Sequence, residues 1–67
     1  MKIHVQVFGK SEKCIVVKSD SKIEDILKKI SLKSDMVIPI RNGIIVPVDE
    51  KLSNGDKLKL LNVASGG

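Results

Sequence analysis

Cysteine is almost missing from this chain: Cys14 stands alone. A lone thiol excludes an intramolecular disulfide and any multi-cysteine metal site. A domain that folds without such a staple is at home in a reducing cytosol. Tryptophan and tyrosine are absent and Phe8 is the one aromatic, so there is no platform on which bases could stack. Arg41 is the sole arginine and the lysines are scattered, so the formal charge of +4 reads as solubility with a mild bias towards acidic partners, not as a nucleic-acid footprint. Long apolar runs are missing as well. Nothing approaches the roughly eighteen residues of a membrane span, and Met1 to Val7 interleaves polar and apolar residues where a signal peptide needs an unbroken apolar stretch. His4 has no second histidine to share a ligand with. The expectation is a soluble, cytoplasmic, monomeric protein with no metal, no nucleic acid and no membrane among its partners.

What is abundant is aliphatic. Hydrophobic residues make up 42% of the 67, mostly Ile, Val and Leu, which argues for one small folded domain despite the many charges. Ile3, Val5 and Val7 alternate with His4, Gln6 and Phe8, the period of a strand with one buried face. Gly9 to Glu12 reads as a turn, and Cys14 to Lys18 as a second strand pairing with the first. Ser21-Lys22-Ile23-Glu24 has the spacing of a reciprocal capping box, Ser21 accepting from the Glu24 amide and Glu24 returning to the Ser21 amide. Ile23, Ile26, Leu27 and Ile30 follow as one stripe of an amphipathic helix, predicted over about Lys22 to Ser31. Glu24 with Lys28 and Asp25 with Lys29 add i,i+4 pairs in the favourable direction.

Met36 to Arg41 is an apolar extended run. Asn42-Gly43 tolerates the positive φ of a tight hairpin turn, Ile44 to Val46 is the return strand, and Pro47 ends it. Leu52 is expected to point inward, Asn54-Gly55-Asp56 is a further turn, and Lys57 to Leu61 is the last strand. Strand, strand, helix, strand, strand, strand makes a two-layer α+β domain over residues 1–61, a mixed sheet of four to five strands with one helix on one face. Residues 62–67 form a flexible tail.

The chemistry lies in that tail, Ala64-Ser65-Gly66-Gly67. A terminal carboxylate is ionised at neutral pH and is a poor electrophile until activated, for example by adenylation. Glycine has no Cβ and lets the backbone thread a narrow passage. From Asn62 to Gly67 the extended reach is about 20 Å, enough to enter an enzyme's pocket while the folded body docks outside. The bland alternative is a leftover flexible end.

The order of elements, the Asn42-Gly43 hairpin followed by Val46-Pro47, the Asn54-Gly55-Asp56 turn and the terminal Gly66-Gly67 together resemble the ubiquitin-like sulfur carriers with a β-grasp fold. Asn62-Val63 stands where the small subunit of molybdopterin synthase often has prolines, which favours the thiamine-type carrier; Arg41 departs from the apolar residue expected before the turn. The resemblance implies a cycle. A ubiquitin-activating-type enzyme, using ATP, adenylates Gly67; a persulfide donor displaces AMP; the resulting thiocarboxylate feeds a sulfur-accepting synthase for thiamine thiazole, molybdopterin or a tRNA base. The chain would bind no cofactor and have no catalytic residue of its own. A modifier joined through Gly67 to lysines would use the same tail and activation, and a plain interaction domain would use neither. Phe8, Val16, Leu61 and Val63 fall opposite the helix-facing positions and are the candidate docking patch beside the tail, with ordinary exposed aliphatics as the alternative. Cys14 falls on that face too and reads as a small strand residue sooner than a relay thiol.

Overall fold

Alternation in the first residues puts Ile3 and Val5 on one face, and both are buried in strand β1 (Lys2–Val7). In the computed structural model, which describes residues 1–63, the chain then turns at Phe8-Gly9. The Lys10 amide donates to the Val7 carbonyl at 2.9 Å. Phe8 and Gly9 have φ of 51° and 73°, the pair of positive values that a type I′ turn requires. The turn therefore begins one residue before the expected Gly9, and Phe8 leaves the strand's alternation. Strand β2 (Lys13–Val16) returns antiparallel to β1.

Helix α1 is shorter than the sequence suggests, Ile23–Lys29, and buries Ile23, Ile26 and Leu27 as expected. Its start is built differently. The predicted Ser21–Glu24 box does not form. The Ser21 hydroxyl donates to the Lys18 carbonyl at 2.7 Å, and the carboxylate that reaches back is that of Asp25, accepting from the Lys22 amide at 2.8 Å. The reason is non-local. The segment after β4 crosses the helix start, and its Val48 and Glu50 carbonyls accept from the Glu24 and Ile23 amides at 2.8 and 3.0 Å. The amide that Ser21 would have capped is already satisfied.

A short 3-10 turn at Ser34–Met36, not foreseen in the sequence, leads into β3 (Val37–Arg41). Asn42 and Gly43 turn the chain with φ of 50° and 86°, as their chemistry predicts, into a brief β4 (Ile44–Ile45). β5 (Lys57–Asn62) runs one residue beyond the expected Leu61. The sheet order is β2-β1-β5-β3-β4, with β5 parallel to β1 and antiparallel to β3. The helix-facing residues Leu58 and Leu60 close the core with Ile3, Val5, Val37 and the inward Leu52. This mixed five-stranded sheet with one helix is the ubiquitin-like β-grasp. Of the tail expected over residues 62–67, Asn62 belongs to β5 and Val63 is hydrogen-bonded to Met36, while Ala64 to Gly67 lie outside the described residues.

Two substitutions test this account. Ile26→Ala empties a fully buried site and should cost about 2–5 kcal/mol in urea unfolding. Asp25→Ala should cost about 1 kcal/mol, and more than Ser21→Ala; the reverse order would restore the Ser21 cap.

Candidate functional site at the exit of the central strand

The candidate site is the stretch of surface from which the C-terminal residues depart. β5 is hydrogen-bonded on both sides. Val7 lies level with Leu60, Ile38 with Leu61 and Val37 with Asn62. The Val63 amide then donates to the Met36 carbonyl at 3.0 Å, so the chain is fastened to the segment leading into β3 up to the last described residue.

Alternation along β5 buries Leu58 and Leu60 and turns Lys57, Lys59 and Leu61 to the face the helix leaves open. On that face Leu61 stands opposite Ile38, and Lys59 opposite Ile40, which in turn stands opposite Ile45 of β4. Leu61, Ile38 and Ile45 are exposed, as is Met36, at the end of the 3-10 turn before β3. Phe8 belongs to the same end: its amide donates to the Leu60 carbonyl at 2.8 Å, and its ring is exposed. An apolar strip thus crosses β5, β3 and β4 beside the exit, with Lys57 and Lys59 on its flank.

The expected patch is only partly brought together. Phe8 and Leu61 lie at the exit and half-buried Val63 follows directly. Val16 is exposed on the open face but pairs with Lys2, at the far end of β1, roughly 20 Å away at about 3.3 Å per residue. Sequence reasoning missed Met36, Ile38, Ile40 and Ile45. The signal was present, because Met36 to Ile40 has no polar residue at alternate positions, as an apolar outer face requires. His4 and Cys14 are cross-strand neighbours on this face. Cys14 is exposed, and the His4 Nδ1 lies 3.8 Å from the Glu12 carboxylate, a solvated pair worth little. Among the described residues no group of three or more His, Cys, Asp or Glu side chains is placed to hold a metal ion, and no helix is long and apolar enough to cross a membrane.

Among the described residues the one buried charge lies at the other end of β5. Asp56 accepts from the Arg41 Nε at 2.7 Å, the Asn42 Nδ2 at 3.1 Å and the Ser53 amide at 2.7 Å. Burial alone would push this carboxyl up. The three donors and the Arg41 charge together outweigh burial and hold it below its ordinary value. Asn42 adds its own grip, accepting from the Lys57 amide at 2.9 Å and donating its amide to the Lys57 carbonyl at 2.9 Å. The turn of the β3–β4 hairpin and the root of β5 are thereby one unit, which sets where β5 points and where its end emerges.

Comparison with known proteins follows this geometry closely. The family model described as small archaeal modifier protein 2 matches residues 1–64. SAMP1 from Haloferax volcanii superposes with a TM-score of 0.78 at 21% identity, covering 100% of both chains. A putative molybdopterin converting factor subunit 1 from Pyrococcus furiosus gives 0.76 at 22% identity over 91% of this chain and 95% of that one. A chain from the complex of subunits 1 and 2 of molybdopterin-converting factor from Helicobacter pylori gives 0.71 at 18% identity over 100% of both. At such identities the structural likenesses speak for the fold.

Asp56→Asn should lower stability by about 2–3 kcal/mol at neutral pH, because it replaces a charge-assisted acceptor with a group that cannot serve all three donors. The folded pKa lies below the unfolded one, so this stability is fully present above about pH 4 and drains away as pH falls through the lowered value. Urea unfolding of both proteins should therefore converge in strong acid. Equal stability at neutral pH would show that the charge is not what secures the turn.

Proposed function

This chain belongs to the small archaeal modifier protein 2 family, and on that footing we propose that it acts through the carboxyl group of Gly67 as a ubiquitin-like modifier and sulfur carrier. The family match over nearly the whole chain carries this reading. The glycine pair that follows the central strand supports it, and so does the apolar strip beside the strand's exit.

The chemistry is an acyl transfer. The Gly67 carboxylate attacks the α-phosphorus of ATP on a partner adenylating enzyme, and pyrophosphate leaves. A lysine amine can then attack the acyl carbon, expel AMP, lose a proton and leave an isopeptide bond. Alternatively a persulfide sulfur attacks, AMP leaves, and a thiol cleaves the acyl disulfide to give the thiocarboxylate. Both outcomes share one activated intermediate, so the fate of Gly67 depends on which nucleophile the partner presents. The family description favours the amine. The molybdopterin factors with the same fold favour the sulfur route towards that cofactor over the thiamine route. In either case the chain is the substrate of its partners and ATP is consumed by the activating enzyme. Leu61, Ile38, Met36 and Phe8 are the surface offered to that enzyme, because they surround the point from which Gly67 must be delivered.

An intact mass of the protein from its host should show Gly67 as the last residue, with a free carboxyl. With an activating enzyme and ATP, a persulfide donor should then replace one oxygen by sulfur, and a lysine-bearing protein should form an adduct that survives thiol treatment. Deleting Gly67 should abolish both. Normal function in cells without Gly67 would sink the carrier and modifier readings together.

Leu61→Asp should keep the unfolding midpoint, since Leu61 lies outside the core, while weakening capture by the activating enzyme about tenfold or more. Unfolding instead would place Leu61 in the core.

A further inference from the structure

The opposite edge of the sheet carries a second surface, separate from the apolar strip. Two concavities follow one another along the seam between β2 and the helix. One, of about 240 Å³, is walled by Val7, Ile15, Ile30 and Leu32, with Lys10 and Lys13 at its rim. The next, of about 570 Å³, lies between Val17-Lys18 and the helix residues Asp25, Lys28 and Lys29. The first is the more apolar. The second is lined largely by charged and hydroxyl side chains.

β2 is an edge strand. Its free backbone groups follow from its register. Met1 and Val17 exchange both hydrogen bonds, the Val17 amide donating at 2.9 Å and the terminal amine at 2.6 Å. In an antiparallel ladder such pairs alternate with pairs that exchange none. Ile3–Ile15 is therefore bonded, while Lys2–Val16 and His4–Cys14 are not. The amides and carbonyls of Cys14 and Val16 thus point away from β1, along the open edge, and no strand among the described residues meets them. Next to them the helix-facing side chains of Ile15 and Val17 floor the groove.

Charge selects the occupant. The two concavities gather five lysines, at 10, 13, 18, 28 and 29, against the carboxylates of Asp20 and Asp25, and Asp25 already accepts from the Lys22 amide. Edge lysines are a common guard against self-association: a second copy pairing here would set lysines against lysines. The same lysines admit a strand of opposite charge. We propose that the β2 edge and its groove receive an extended acidic segment of a partner protein. Its backbone pairs with Cys14 and Val16, and its apolar side chains cover Ile15, Ile30 and Leu32. The segment touches neither the apolar strip nor the residues leading to Gly67, so both surfaces can be occupied together.

The test uses the full chain, isotopically labelled, titrated with a synthetic peptide bearing a short Val/Ile run beside glutamates. Amide shifts should concentrate at Cys14, Val16, Lys29 and Leu32 and spare Ile38 and Leu61, and affinity should fall with salt. Val16→Pro removes an outward amide that the ladder does not use, a position where an edge strand tolerates proline, and should abolish binding. Lys13→Glu combined with Lys29→Glu leaves the backbone intact and should weaken binding about tenfold, as should exchanging the peptide's glutamates for lysines. The proposal is overturned by absence of saturable binding, by shifts confined to the Ile38–Leu61 face, by indifference to the lysine variants, or by self-association through β2 without peptide.

Discussion

The carboxylate of Asp56 ties the β3–β4 hairpin turn to the root of the central strand. It grips Arg41 and Asn42 at the β3–β4 turn and the Ser53 amide just before β5. Arg41 reaches on to Glu50, 3.6 Å away, in the segment whose carbonyls satisfy the first helix amides. One buried charge is thus linked through Arg41 to the hairpin, the central strand and the helix start. Burying an anion is unfavourable unless donors surround it, and here the donors belong to pieces that must be correctly assembled before they can converge. The same requirement that makes the group costly makes it specific.

That arrangement also explains what could be read from the sequence and what could not. Asn42-Gly43 was legible because a type I′ turn is a local matter of φ, and Ile23, Ile26 and Leu27 because a helical stripe is local periodicity. The helix cap was misread because its outcome was decided by Val48 and Glu50, carbonyls that no local pattern connects to Glu24. Asp56 looked like one more turn residue, since the partners that give it meaning lie 14 and 15 positions away. Of the candidate patch, alternation put Leu61 and Val16 on the open face but says nothing about position along the strand, so it missed that Val16 lies at the far end; Phe8 reaches the exit through the turn after β1, not through alternation.

The two faces of the sheet do different work. The helix side holds the aliphatic core, as dense as a domain this small needs. The open side carries exposed Leu61, Ile38, Ile45 and Met36, more apolar surface than solvation calls for, and it is concentrated where β5 ends. The β2 edge, at the other side of the sheet, is basic and has unused backbone groups. The apolar strip and the basic edge thus lie on separate parts of the sheet.

The pairing of β5 has a mechanical consequence. The strand is flanked by a parallel neighbour and an antiparallel one. A pull on the C-terminal end acts across the hydrogen bonds of both ladders, which share the load at once and cannot be peeled one by one. A pull along β5 would meet the domain in its stiffest direction, where two ladders must fail together.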